Sequence, residues 1–167
     1  MARPPVNPDQ PGEGQESVWD YPRPPALVPS TRQVVIRLGG TLIADSRRAW
    51  RVLETSHPPT WYVPADDVVP GILRPSAAAP TVCEWKGVAR YWDVVTPDAV
   101  LPAVMWSYPD PTPRFAALAG AVTGYPAQLE CLVDGERARP QDGGFYGGWI
   151  TSDVVGPFKG GPGSWGW

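Results

Sequence analysis

Proline occurs 23 times and glycine 18 times in this chain. A proline ring fixes φ and removes a backbone donor, and glycine is entropically costly inside a helix. At that density the chain is cut into short pieces and long helices are disfavoured. Short strands joined by tight turns are what such spacing permits.

The intervening segments carry the matching signals. "RQVVIRLGGTLIAD" (32–45) places two β-branched runs around Gly39-Gly40, a hairpin signature. "AWRVLE" (49–54) could be a helix or a strand, and the alternation of Trp50, Val52 and Glu54 with Arg51 and Leu53 favours the strand. "TWYVP" (60–64) and "AVMWSYP" (103–109) read as further strands, and "ADDVVPGIL" (65–73) as one helical turn halted by Pro70. "TVCEW" and "VARYWDVV" predict a hairpin hinged at Lys86-Gly87, and "AQLECLVDGERARP" (127–140) a second with Asp134-Gly135 at its turn. Only "TPRFAALAGAV" (112–122) reads as a helix, with Thr112 as cap and Pro113 in the first position. The expectation is an all-β chain with one short helix, folded as a compact barrel or sandwich.

A length of 167 residues predicts a single domain, over 17–167. Residues 1–16, proline-rich and poor in apolar side chains, read as a disordered tail. "VWDYPRPPALVPS" (18–30) reads instead as an extended, polyproline-like arm docked on the domain through Trp19 and Tyr21. The net charge of −3 steers the chain toward neither nucleic acid nor an anionic membrane. The longest apolar run, "FAALAGAV" (115–122), is too short to span a bilayer, and the start of the chain lacks a signal-peptide core. A soluble cytoplasmic monomer or homodimer is expected, with a small molecule as its partner. Cys83 and Cys131 stand alone, without a CxxC, beside a single histidine. No metal site and no cofactor are expected.

"CEWKGVARYW" (83–92) carries the densest chemistry. Lys86, before Gly87, could hold an anionic ligand group or act as a base. It could equally be a surface lysine with its stem laid on Trp85. Cys83 could be a nucleophile if a cation lowered its pKa, or a small buried hydrophobe. Glu54, at a strand end before "TSHPP", could serve as acid or base in a pocket, or pair with Arg48 or Arg51. Glu54, Lys86 and Tyr91 are the candidate catalytic residues. Tyr62, Cys83, Trp85, Trp106 and Tyr108 are the candidate ligand-binding residues, on strands whose aromatics could wall a cavity or pack a core. His57 reads as a turn residue. "GPFKGGPGSWGW" (156–167) reads as a tightly turned tail whose Trp165 and Trp167 close one end of the domain, rather than as a phosphate loop.

Several stretches together resemble domain-of-unknown-function family 427, also labelled a nucleotidyltransferase family. They are "ESVWDYPRPP" (16–25), "LGGTLIADSRRAWRVLETSHPPTWYVP" (38–64), "CEWKGVARYW" (83–92), "WSYPDP" (106–111), "VDGERARPQ" (133–141) and the segment from Gly143 to Trp167. The resemblance implies an all-β domain similar to the β-tent proteins. Their zinc site needs two CxxC pairs, which this sequence lacks. Nucleotidyl transfer would call for carboxylates aimed at Mg²⁺, and Asp66-Asp67 is the one close acidic pair.

Overall fold

The computed structural model describes residues 5–167. It is built from β-strands, and no helix among the described residues is long and apolar enough to cross a membrane. In chain order the strands begin with β1 (Glu16–Ser17), β2 (Ala26–Pro29), β3 (Val34–Leu38), β4 (Thr41–Ser46), β5 (Trp50–Leu53) and β6 (Thr60–Pro64). There follow β7 (Leu73–Pro75), β8 (Thr81–Cys83), β9 (Gly87–Val95), β10 (Val100–Ser107) and β11 (Ala121–Gly124). The series ends with β12 (Glu130–Val133), β13 (Glu136–Arg137), β14 (Arg139–Pro140), β15 (Trp149–Ile150) and β16 (Val154–Val155).

Two sheets dominate. The larger runs β2-β5-β6-β11-β10-β9-β7, with β8 attached to β9; the smaller runs β13-β12-β3-β4. Neither closes into a barrel, so the arrangement is a sandwich. The predicted turns sit where expected. Gly39 and Gly40 take φ of 54° and 84° between β3 and β4. Asp134 and Gly135 take 47° and 81° between β12 and β13. The twist of such left-handed turns matches that of the strands they join.

Alternation then divides the side chains between two faces. On β6, Trp61 and Val63 point to the core between the sheets, where they meet Ile36, Ile43, Met105, Cys131 and Trp149. Tyr62 points the other way. It joins a second cluster with Val52, Trp106, Tyr108, Phe115 and Leu118 on the outer face of the large sheet. That outer face holds the candidate site.

The arm is tied in as strand rather than as a polyproline segment. β1 pairs in parallel with β16, and β2 forms the edge of the large sheet beside β5. Residues 1–4 of the expected tail lie outside the described residues. Farther along, Asp9 N–H donates to the Gly156 carbonyl at 2.8 Å, and the Gln15 amide donates to the Ser152 carbonyl at 2.9 Å.

The short helix expected over 112–122 is present, but it is shorter than expected and gives way to a strand. Residues Pro113–Leu118 form a 3₁₀ segment with Phe115 off helical geometry, at φ −108° and ψ 21°. Gly120 turns the chain at φ 77°, and Ala121–Gly124 enter the centre of the large sheet between β6 and β10. All four residues of β11 are buried. A strand covered on both faces needs apolar residues throughout and loses the alternation that marks a strand.

Candidate functional site

The outer face of the large sheet is an aromatic row. Trp50 opposes Tyr62 across β5 and β6, and Trp106 opposes Tyr91 across β10 and β9. Tyr125 tilts against Trp106 with ring centroids 4.5 Å apart, and Tyr62 lies 6.3 Å from Tyr108. Cys83 and Trp85 pack against the same cluster from the β8–β9 turn.

Lys86 leaves that turn and lays its ammonium 5.6 Å from the Tyr108 ring centroid, a cation–π placement. The side chain is half-buried. Burial works to lower its pKa, but Tyr62, Cys83 and the Glu54 carboxylate outweigh it, so the ammonium is held above the usual lysine value. Lys86 is a stable cation here and not a free-amine base. Burial pushes the Tyr62 and Tyr108 hydroxyls up, and both stay protonated as donors.

The turn that carries Lys86 is fixed from an unexpected quarter. Thr112, read as a helix cap, makes no capping bond. Its hydroxyl donates to the Trp85 carbonyl at 2.6 Å, and its N–H donates to the Lys86 carbonyl at 3.0 Å. Gly87 has φ of 111°, and a Cβ there would sit 3.4 Å from the Asp110 carbonyl oxygen, so the close approach of the two segments relies on glycine.

Glu54 and His57 form the second half of the region. His57 N–H donates to the Glu54 carbonyl at 3.0 Å, closing a four-residue turn with Ser56 at φ 70°. A type II turn needs a left-handed residue at that position and usually takes glycine or asparagine. The turn brings His57 Nε2 to 3.5 Å from Glu54 Oε2. Glu54 pairs with neither Arg48 nor Arg51. Arg23 reaches it at 3.4 Å, while Arg48 binds Asp67 and Arg51 binds Glu16.

His57 is more than a turn residue, and its partner Gln141 had no signal in the sequence. The Gln141 amide is oriented by two bonds: Oε1 accepts from Gly148 N–H at 3.2 Å, and Nε2 donates to the Lys159 carbonyl at 2.6 Å. Its remaining N–H therefore faces His57 Nδ1, 3.2 Å away. Nδ1 must be the bare nitrogen, so Nε2, 3.5 Å from Glu54 Oε2, carries the proton. Tyr146 stands edge-on to the imidazole at 4.9 Å. Burial, then the charges of Lys159, Arg23 and Lys86, hold the imidazole pKa down to about 4. His57 is neutral at pH 7.

Tyr62, Cys83, Trp85, Trp106 and Tyr108 thus share one cluster with Lys86 above it, and Glu54 is near enough to act on the Lys86 charge. Tyr91 lies on the same face, but its hydroxyl is engaged with Thr81 Oγ1 at 2.8 Å. Lys86 and Glu54 line neither of two cavities that border the region. One, of about 230 Å³, is walled by Val104, Tyr125, Gln141 and Tyr146. The other, of about 430 Å³, is walled by Trp19, Arg23, Thr55 and Trp167.

The profile of a family described as a domain of unknown function, DUF427, matches residues 26–135. The chain belongs to the DUF427 family. No curated protein matches this DUF427 chain. The matched stretch includes Glu54, His57, Lys86 and every aromatic of the row, while Gln141, Tyr146 and Lys159 lie beyond it.

The nucleotidyltransferase label attached to DUF427 finds little support in the acidic pair. Asp66 and Asp67 sit on a 3₁₀ turn. Asp67 accepts from Ser46 Oγ at 2.6 Å and pairs with Arg48 at 2.8 Å, which holds its carboxyl below the usual carboxylate range. Among the described residues no group of three or more His, Cys, Asp or Glu is arranged to hold a metal. Lys159, the cation of the glycine-rich C-terminal segment, donates to the Trp167 carbonyl at 3.1 Å and lies 5.7 Å from the Tyr146 ring. Trp167 packs on Trp19, whereas Trp165 is 80% exposed and closes nothing.

Proposed function

We propose that this DUF427 domain binds a small anionic molecule on its outer sheet face and acts on it by acid–base chemistry. Lys86 holds the anionic group, the Tyr62 and Tyr108 hydroxyls donate to it, and Glu54, steadied by His57, moves a proton. The observation that carries this reading is the Lys86 charge. The ammonium is half-buried over Tyr108, and none of the ion pairs among the described residues includes it. Its surroundings hold the ammonium charged, and an anionic ligand would supply the direct ion-pair partner it lacks. The partner in this reading is a small molecule, not nucleic acid or a membrane.

A non-catalytic binding module is the second reading. It is favoured by the hold of Arg23 on Glu54, which competes with any proton transfer there.

The deciding experiment is a thermal-shift screen of the full chain with small carboxylates, phosphates, nucleotides, cyclic imides and amino-acid derivatives. A ligand at a hundred times its dissociation constant should stabilise by about 2.7 kcal/mol, raising Tm by roughly 5–10 °C. Lys86→Met should abolish that shift while costing about 1 kcal/mol of stability or less. A ligand that stabilises Lys86→Met as well as the parent chain would remove Lys86 from the site. Glu54→Gln separates the two readings: bound ligand without turnover marks the enzyme, and unchanged behaviour marks the binding module.

A further inference from the structure

The larger cavity plays no part in that reading. It lies where the two ends of the described chain meet, and Thr55 is its sole wall residue inside the stretch that matches the DUF427 profile. We infer that this cavity is a second binding site, selective for a small planar aromatic carboxylate.

The walls explain the aromatic preference. Trp19 and Trp167 meet edge to face, with ring centroids 5.3 Å apart and planes at 67°. Trp19 is held through its indole and Trp167 through its backbone before any ligand arrives. Trp19 Nε1–H donates to the Pro157 carbonyl at 2.9 Å. Trp167 N–H donates to the Ser164 carbonyl at 3.0 Å, and its own carbonyl oxygen accepts from Lys159 Nζ at 3.1 Å. Rings already packed on one another lose little freedom when a third ring joins them, so most of the contact energy is kept as affinity. A volume of about 430 Å³ lies within the range of small-molecule sites.

The charge explains the carboxylate. Arg23 is the single ionisable side chain in the wall. Its Nη2 donates to the Thr55 carbonyl at 3.0 Å and meets Glu54 at a long 3.4 Å. A guanidinium has five N–H donors in a planar fork. Nε and Nη1 make no hydrogen bond among the described residues, which leaves donors for a carboxylate. Apolar walls with one such fork reject a neutral ring less strongly than they prefer an acidic one. A cationic ring would meet the like charge of Arg23.

Indole-3-acetate serves as the probe, with neutral indole-3-acetamide as its control, titrated into the full chain by calorimetry. Indole-3-acetate should bind saturably at one site per chain and at least tenfold more tightly than the amide. Arg23→Gln should erase the difference between the two. Trp167→Ala should weaken both, and Lys86→Met should change neither, which separates this site from the outer sheet face. Thermal unfolding of each variant reports whether it folds. In the parent chain, the Trp19 and Trp167 indole N–H resonances should shift on titration, so a poorly folded variant does not decide the outcome. The inference fails if indole-3-acetate shows no saturation at millimolar concentration, if Arg23→Gln keeps the preference for the acid, or if binding follows Lys86 instead.

Discussion

His57 is a single side chain with a thermodynamic signature. Its folded pKa is held down to about 4, against 6.5 for a free imidazole. Above pH 6.5 the ring is neutral in the folded and unfolded chains alike, and it contributes no pH dependence. Between 6.5 and 4 the unfolded chain takes up a proton that the native ring refuses, so stability falls as the pH falls. The full loss is about 3 kcal/mol, complete below pH 4. Urea unfolding at pH 7 and pH 4.5 should show most of this difference, and His57→Gln should flatten it. Equal slopes in the two proteins would mean that the imidazole is not buried as described. Little of this was legible in the sequence. "TSHPP" announces a turn, but the burial comes from Gln141, Tyr146 and Lys159, which lie more than 80 residues away along the chain. Lys86 was more accessible to reasoning because its aromatic neighbours sit beside it in "CEWKGVARYW".

At the scale of elements, the hairpins were readable because glycine pairs and Asp-Gly state their turn geometry locally. In the segment 112–122 the short helix was readable but the strand that follows it was not, because an apolar run looks the same whether it continues a helix or enters a fully buried strand. The missing cap bond leaves Thr112 free for another role. As a clamp on the β8–β9 turn it holds two consecutive carbonyls that position Lys86. Thr112→Val keeps the shape and removes the hydroxyl. It should cost about 1 kcal/mol of stability and weaken anion binding at Lys86 several-fold, with Thr112→Ser restoring both. If the valine variant binds as the parent does, the clamp is irrelevant to the site. A second element-scale prediction concerns the loop that crosses the row. A Cβ on Gly147 would lie 2.1 Å from the Trp106 ring, so Gly147→Ala must displace the indole. Such overpacking costs typically 1–3 kcal/mol. A drop in Tm of roughly 2–12 °C would follow, together with loss of the Trp106–Tyr125 contact in the aromatic circular dichroism.

Across the whole molecule, the large sheet separates two cores, and the two cysteines fall on opposite sides of it. Cys131 is fully buried between the sheets, where burial pushes its thiol pKa up; Cys83 is half-buried in the outer cluster. A maleimide should therefore modify Cys83 in the native protein and reach Cys131 only through unfolding, on the order of a thousandfold more slowly or beyond. The chain should also run identically with and without reductant, and comparable labelling of both thiols would contradict the two-core arrangement. The mainly β fold could be read from the spacing of breakers, whereas the division into two cores depends on which face each strand turns inward. The bond from the Trp19 indole to the Pro157 carbonyl carries a further consequence. It joins residues 138 positions apart, and the parallel β1–β16 pair lies beside it. Contacts of that reach are entropically the last to become worthwhile, because the chain between them must already be compact. In refolding, the Trp61 indole should leave solvent before the Trp19 indole does. The N- and C-terminal segments act as a seam that closes when the rest is finished, and the larger cavity exists only in chains that have closed it.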